Sequence, residues 1–221
     1  MENVDYRSVV KLQHPFSLLL AGPSGCGKTV FVGELIRRCT TRIDPPIKQV
    51  IYVYQQPQTY FENIAQRCPV PIKFLRELDA VHLNTAEATL LVVDDFMGLK
   101  SNDAVENLVA DYFIRRCHHE NVSIAYLCQN LFNASKTHRT ISLNSSYLFL
   151  GKNPRAVAQI QYLASQMYPG KTHFLRESYK DATSKPYGYL FLDFKQSTPE
   201  QFRVRTDILD GEPVIYTIKP N

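Results

Sequence analysis

A glycine-rich motif near the amino terminus is the strongest chemical signal in the sequence. The run Gly22-Pro23-Ser24-Gly25-Cys26-Gly27-Lys28-Thr29 matches the pattern GxxxxGK[ST] at every fixed position. Glycines let the backbone curl so that its N–H groups point at phosphate oxygens. A lysine at this place reaches the β- and γ-phosphates, and the following hydroxyl coordinates Mg²⁺. We therefore predict that these eight residues bind the phosphates of ATP, with Thr29 on Mg²⁺.

Two adjacent carboxylates follow an apolar run further along the chain. Leu90-Leu91-Val92-Val93 ends on Asp94-Asp95, and ligands bind at the carboxyl ends of strands in open α/β sheets. We predict that Asp94 holds the Mg²⁺ shell through water and that Asp95 polarises the attacking water. Many related ATPases carry Glu at the second place, which is one methylene longer than Asp95. The alternative is a strand that merely ends in a polar turn.

A glutamine stands directly after the next apolar run, Val122 to Cys128. The neutral amide of Gln129 can bond both the attacking water and the γ-phosphate, so it can report hydrolysis to the rest of the fold. We predict that Gln129 is this polar sensor, acting with the glycine-rich motif and the two carboxylates. A glutamine that only completes a turn is the alternative.

A basic segment without acidic residues covers positions 121–176. It contains Lys136, Arg139, Lys152, Arg155, Lys171 and Arg176, a charge of +6. Because the whole chain carries +4, the remainder carries −2. Such asymmetry favours a face that meets phosphate, either a neighbour's ATP or a DNA backbone. The alternative is an ordinary solvated basic surface.

An arginine in this segment is placed for transition-state chemistry. We predict that Arg139 lies in a loop just after Gln129, where it suits an arginine finger that acts across a subunit interface. Arg155, at the head of a predicted helix, is the second candidate for the finger. Arg115 and Arg116 are the third.

Strands and helices alternate up to residue 168. The predicted strands are Leu18–Ala21, Gln49–Tyr54, Thr89–Val93, Val122–Cys128 and Tyr147–Leu150; the weaker helix candidates are Tyr60–Arg67 and Ile72–Leu78. This alternation predicts a mostly parallel sheet with helices on both faces. The strand placed between the phosphate motif and the paired carboxylates makes it an α/β P-loop NTPase of the RecA-like (ASCE) kind.

The sequence changes character after Pro169-Gly170. Short strands are predicted at Thr172–Leu175, Tyr187–Phe194, Phe202–Arg205 and Val214–Ile218. We therefore expect a P-loop ATPase core over residues 1–170 and a β-rich C-terminal extension of the same domain over residues 171–221.

Length and composition limit the remaining possibilities. A chain of 221 residues with 44% hydrophobic content suits one compact domain. The five cysteines show no CxxC spacing, which argues against a disulfide framework or a zinc ribbon. The longest apolar runs are far too short to span a bilayer, and the amino terminus does not look like a signal peptide. We expect a soluble intracellular protein that has no membrane partner.

Several motifs, taken in order, resemble the genome-packaging ATPases of the FtsK/HerA superfamily. After the phosphate motif, Asp94-Asp95 and Gln129 come Arg139-Thr140-Ile141-Ser142-Leu143-Asn144-Ser145-Ser146-Tyr147 and Asn153-Pro154-Arg155-Ala156-Val157-Ala158-Gln159-Ile160, then Leu163-Ala164-Ser165-Gln166. The likeness covers roughly residues 16 to 170 and is greatest to the poxvirus-type branch, found in Polinton/Maverick elements and adintoviruses. Only the stretch from Gln129 to Gln166 is specific to this family.

The resemblance implies a ring of identical subunits that drives double-stranded DNA into a preformed viral capsid at the expense of ATP. It implies a capsid component as docking partner and work inside the host cell during virion assembly. It also implies the sensor role for Gln129 and makes Arg139 the best match for the finger. The chain length leaves no room for a fused nuclease, so we expect a motor that pumps and does not cut.

Other classes of P-loop protein remain as alternatives. A small-molecule kinase would need an acceptor pocket and an arginine-bearing lid, and no compact lid motif is evident. A GTPase would need a base-reading motif of the NKxD kind after a strand. A DNA-dependent helicase or loader, or a scaffold that binds ATP without acting on DNA, fits the modest net charge of +4.

Overall fold

The computed structural model describes residues 11–56, 59–78, 81, 86–94, 102–132, 135–209 and 211–218. Its strands are β1 (Leu12–Gln13), β2 (Ser17–Ala21), β3 (Ile43–Asp44), β4 (Gln49–Tyr54), β5 (Ile72–Leu75), β6 (Thr89–Asp94), β7 (Val122–Cys128), β8 (Tyr147–Gly151), β9 (Tyr189–Asp193), β10 (Val204–Thr206) and β11 (Val214–Ile215). Its α-helices are α1 (Lys28–Arg37), α2 (Tyr60–Arg67), α3 (Asn102–Asp111), α4 (Cys117–His119), α5 (Lys136–Leu143), α6 (Val157–Met167) and α7 (Thr172–Ala182). A π-helical turn, Tyr112–Arg116, joins α3 to α4, and Glu200–Phe202 form a 3₁₀ turn.

Nine of the described strands form one sheet in the order β11-β10-β9-β8-β2-β7-β6-β4-β5. The six strands from β8 to β5 are parallel, whereas β9, β10 and β11 continue the sheet in antiparallel fashion. The prediction of a mostly parallel sheet is confirmed. Residues 171–221 add the antiparallel strands β9, β10 and β11 to this sheet, together with helix α7. β7 lies between β2 and β6, as the RecA-like class requires.

The central strands are buried on both faces, which explains their unbroken apolar runs. In β2, Leu19 faces one hydrophobic core, while Leu18 and Leu20 face the other. One core is completed by α1 and α2 through Phe31, Val32, Leu35, Ile36, Phe61 and Ile64. The other is completed by α3, α5, α6 and α7 through Val109, Ile141, Ile160, Leu163 and Leu175. The sheet is therefore the middle layer of three.

Three local predictions are wrong. Ile72–Leu75 is the edge strand β5, not part of a helix. Thr172–Leu175 begins helix α7, not a strand. Arg139 lies within helix α5, not in a loop. Residues 1–170 and 171–221 share one continuous sheet, since β9 pairs directly with β8.

Across the residues that the structure describes, no helix is both long enough and apolar enough to cross a membrane.

Candidate phosphate-binding site

Three separate segments of the chain meet at the carboxyl edge of the parallel strands. In the sheet register, Ala21 of β2 pairs with Cys128 of β7, and Asp94 of β6 pairs with Leu127. The residues that follow β2 and β7 are therefore level with Asp94. Because β7 separates β2 from β6, Gln129 stands between the glycine-rich loop and the carboxylate.

The glycine-rich loop has the backbone conformation that its sequence predicts. Gly25 has φ of 78° and Gly27 has φ of 103°, both in the left-handed region that residues with a Cβ atom adopt only with strain. Gly27 is the N-cap of α1, which begins at Lys28. The amino-terminal end of a helix, with its unpaired N–H groups and positive dipole end, attracts phosphate.

The lysine of the motif lies folded over its own loop. Lys28 Nζ donates hydrogen bonds to the carbonyl oxygens of Gly22 at 2.5 Å and of Pro23 at 3.1 Å. Both acceptors are neutral, whereas a phosphate oxygen is charged and forms the stronger bond. The ammonium group is thus held at the mouth of the loop and can exchange these carbonyls for phosphate.

The loop is packed against the end of β8 through a single thiol. Cys26 is buried, and its Sγ lies 2.5 Å from the position that a Cβ on Gly22 would take. The same Sγ lies 2.5 Å from the Cβ position of Gly151, the last residue of β8. Two glycines therefore make the space that this thiol occupies.

Asp94 is buried, and a tyrosine from the neighbouring strand orients it. Only 4% of Asp94 is exposed, and Tyr52 Oη donates a hydrogen bond to its Oδ2 at 2.7 Å. Burial, and then the nearby carboxylate, raises the pKa of Tyr52 above its ordinary value. The hydroxyl therefore stays protonated and remains a donor to Asp94.

A cavity of about 320 Å³ brings the predicted residues together. Its lining includes Ser24, Gly25, Gly27, Lys28, Thr29, Asp94 and Gln129, together with Tyr187. The Thr29 hydroxyl and the Asp94 carboxylate are hard oxygen donors of the type that Mg²⁺ prefers. The residues present thus fit a magnesium ion beside bound phosphates. Asp95 lies outside the described residues.

The candidate arginines divide into two groups. Arg115 pairs with Asp111 of the same helical segment, and Arg116 pairs with Glu120 at 2.6 Å. Arg139 and Arg155 are exposed and make no ion pair within the described part of the chain. Neither lines the cavity beside the glycine-rich loop.

Helix α5, which carries Arg139, is tied to the segment that follows Gln129. His138 is fully buried, and its Nε2 lies 3.1 Å from the carbonyl oxygens of both Asn130 and Leu131. Since a carbonyl only accepts, this ring nitrogen carries the proton and donates. The histidine next to Arg139 therefore ties helix α5 to the two residues that follow Gln129.

Sequence reasoning missed three residues that shape the site. Tyr52 lies in the predicted strand Gln49–Tyr54, and Gly151 directly follows the predicted strand Tyr147–Leu150. Only the folded structure shows that Tyr52 contacts Asp94 and that Gly151 lies against Cys26. Tyr187 lies beside Gly27, although 160 residues separate them in the chain. A bulky residue in the short run Lys185-Pro186-Tyr187-Gly188 gives no signal of that contact.

A glycine-rich loop between β2 and α1, with β7 inserted between β2 and β6, gives the fold of a P-loop NTPase. Two solved structures have a similar fold: the genome packaging NTPase B204 from Sulfolobus turreted icosahedral virus 2, in complex with sulfate and with ATP-gammaS. Their TM-scores are 0.50 and 0.51, and each match has 10% sequence identity and covers 81% of this chain and 92% of B204. The sequence matches no protein-family model and no curated protein.

Proposed function

We propose that this protein is a Mg²⁺-dependent ATPase that drives viral double-stranded DNA into a preformed capsid. One observation carries the ATPase part: the parallel sheet places Lys28, Thr29, Asp94 and Gln129 around a single cavity at the carboxyl edge. Those groups supply cation, hydroxyl, carboxylate and amide where a triphosphate would lie, which is the set that phosphoryl transfer to water needs.

Each group has its own role in the proposed hydrolysis. The backbone N–H groups of residues 22–29 hold the phosphates, and Lys28 neutralises charge on the terminal ones. Thr29 and Asp94 would hold Mg²⁺, which would supply positive charge beside the phosphates. Asp95 orients and polarises the attacking water, and Gln129 bonds that water and the γ-phosphate.

Sequence resemblance, fold similarity and exposed positive charge support the DNA-packaging part of the proposal. The motifs from Gln129 to Gln166 resemble FtsK/HerA packaging ATPases of the poxvirus-type branch, and the fold is similar to that of a packaging NTPase. All six cations of the segment 121–176 are exposed, so they are available to a phosphate backbone. The motor would act as a ring on a capsid component within the infected host cell.

Arg139 would complete a neighbour's active site in that ring. An arginine finger must be free of partners in its own subunit, and Arg139 is exposed on α5 without an ion pair among the described residues. Its link to the segment after Gln129, through His138, would let one site report its state to the next subunit.

The test is the rate of ATP hydrolysis, with and without duplex DNA, on material whose oligomeric state has been measured. We expect Mg²⁺-dependent turnover that rises with DNA and is lost in Lys28→Ala. Asp95→Asn should bind ATP without hydrolysing it. Arg139→Ala should lose turnover in the assembled protein, whereas Arg67→Ala, at an exposed helical arginine outside the basic segment, should retain it.

Other results would replace the proposal with an alternative. Phosphate transfer to a small acceptor would indicate a kinase, and faster GTP than ATP turnover would indicate a GTPase. A rate of ATP hydrolysis that does not change when duplex DNA is added would indicate a scaffold. Unchanged turnover in Arg139→Ala would exclude it as the finger, and loss of ATP binding in Asp95→Asn would give that residue a metal or folding role.

A further inference from the structure

A second cavity, of about 380 Å³, adjoins the phosphate site. Gly27, Val30 and Tyr187 line both cavities, so the two spaces meet at the start of helix α1. The phosphates of a nucleotide would fill the first cavity, so the sugar and base of that nucleotide need a separate binding space. The shared wall makes the second cavity the nearest space for them.

Tyr187 stands at the junction of the two cavities. Its Cβ lies 3.1 Å from the position that a Cβ on Gly27 would occupy, so its backbone packs directly on the glycine-rich loop. The ring side of the residue is open: Tyr187 is 65% exposed and has no aromatic partner within the described residues. An unpartnered aromatic face beside a phosphate site is a stacking surface for a base.

The backbone of Tyr187 is held in an uncommon conformation. Its φ is 60°, which bulky residues rarely adopt. A turn in which Gly188 N donates to Lys185 O at 3.1 Å fixes this geometry, and a Cβ on Gly188 would lie 2.4 Å from the carbonyl oxygen of Ala182. The ring position is therefore set by the end of α7 and not by the side chain alone.

The groups that line the two cavities suit different parts of a nucleotide. Lys28 and the loop N–H groups favour anions in the first cavity. The second is lined by the carboxylates of Glu34, Asp181 and Asp207 and by the cation Lys185. Glu34 also pairs with Arg37 at 2.6 Å, and Asp181 accepts a hydrogen bond from Tyr216 Oη at 2.7 Å. Carboxylates repel phosphates, yet they accept hydrogen bonds from the N–H groups of a base. The uncharged end of the ligand belongs in the second cavity.

We propose that the second cavity binds the nucleoside part of the triphosphate, with its base stacked on Tyr187 and an amino group turned toward the carboxylates. Tyr187 is then a substrate-binding residue supplied by the segment between α7 and β9. This inference rests on the proposed binding of ATP by the phosphate loop. It assigns a binding place to the nucleoside, about which the glycine-rich motif gives no information.

The test compares two ligands that differ only in the nucleoside: ATP and inorganic tripolyphosphate, each titrated with Mg²⁺ by calorimetry. Tyr187→Ala should weaken ATP binding about tenfold, as the loss of one stacking contact predicts, and should change tripolyphosphate binding less than about twofold. Tyr187→Phe keeps the ring and should bind ATP like the wild type. Tyr162→Ala, at another exposed tyrosine, is the matched control.

Several results would overturn the inference. If Tyr187→Ala binds ATP as the wild type does, the base does not stack there. If it loses affinity for ATP and tripolyphosphate equally, Tyr187 supports the loop and not the base. Lys28→Ala separates the two proposals, because it should weaken both ligands. If the wild type binds neither ligand, the proposed ATPase fails together with its nucleoside cavity.

Discussion

At the scale of single residues, the hydroxyl of Tyr52 fixes the direction of the carboxylate that we expect to hold Mg²⁺. Tyr52 comes from β4 and Asp94 from the neighbouring β6, and both are buried. A buried carboxylate without a donor costs free energy. The 2.7 Å hydrogen bond offsets part of that cost and keeps Oδ2 turned toward β4. Groups that hydrogen-bond to a metal ligand set the orientation of that ligand and its affinity for the metal.

We predict that Tyr52→Phe raises the Mg²⁺ concentration needed for half-maximal ATP hydrolysis. The change removes only the donor to Asp94, and loss of such a supporting group weakens metal binding about tenfold. A Mg²⁺ titration of the hydrolysis rate measures the effect. Tyr147→Phe is the control, because the Tyr147 hydroxyl accepts from Gln13 N at the opposite edge of the sheet. An unchanged Mg²⁺ requirement in Tyr52→Phe would contradict the role given to this hydroxyl.

At the scale of elements, the glycine-rich loop and strand β8 are fitted together through Cys26. A methyl group on Gly151 would lie 2.5 Å from Cys26 Sγ and 3.2 Å from a ring carbon of Phe149. β8 is also the strand that receives the antiparallel extension, through its pairing with β9. The contact therefore joins the shape of the loop to the half of the sheet formed by the later part of the chain.

We predict that Gly151→Ala lowers stability by about 1 to 3 kcal/mol through overpacking and weakens ATP binding because the thiol displaces the loop. Cys26→Ala removes the obstructing sulfur and should behave nearly as the wild type does. The double variant Gly151→Ala with Cys26→Ala should recover most of both losses. Thermal unfolding and ATP titration of the three variants measure this coupling. Simple addition of the two single effects would show that the thiol is not the obstacle.

The sequence predicts some helices and strands better than others, and their burial explains the difference. β2, β4, β6, β7 and β8 are buried on both faces, so each reads as an apolar run. Helix α5 has a polar sequence, KTHRTISL, with only His138 and Ile141 buried, and periodicity does not reveal it. β5 is a half-buried edge strand whose four residues also suit a helix.

The site follows the same rule. The glycine-rich loop is local in sequence and its glycines determine its conformation, so the position of residues 22–29 at the carboxyl edge of the sheet could be predicted. Asp94 and Gln129 could be predicted from their places after apolar strands. Tyr52 and Tyr187 act across strand pairing and across the whole chain, and such tertiary contacts leave no mark on a single sequence.

At the scale of the whole molecule, the edge of the sheet opposite the phosphate site contains a buried polar cluster. His14 is 8% exposed; its Nδ1 lies 2.6 Å from Ser123 Oγ, and its Nε2 lies 2.8 Å from Asn121 Oδ1. Asn121 Oδ1 only accepts, so Nε2 carries the proton, and in the neutral ring Nδ1 accepts from the Ser123 hydroxyl. Burial, with the charge of Lys195, lowers the pKa of His14 below its ordinary 6.5.

We predict that the free energy of unfolding falls as the pH drops below about 6.5. The folded protein holds His14 neutral, whereas the unfolded chain takes up a proton at its ordinary pKa, so acid favours unfolding. Above that pH the contribution is complete. Denaturant unfolding at about pH 7.5 and about pH 5 measures it. His14→Gln should reduce the difference, and His173→Gln, at an exposed histidine, should not. An equal difference in the His14 variant would refute the assignment.

The antiparallel strands β9, β10 and β11 are synthesised after the rest of the sheet, and this order affects the nascent chain. Arg38 and Arg42, just after the first helix, donate to the backbone carbonyls of Leu209 and Gly211. A ribosome releases residues 22–29 before residues 189–218. Until then β8 presents an open edge to other nascent chains, and such edges invite pairing between molecules. Addition of β9 to the edge of β8, rather than formation of the loop, is therefore the step that protects each new copy from pairing with its neighbours.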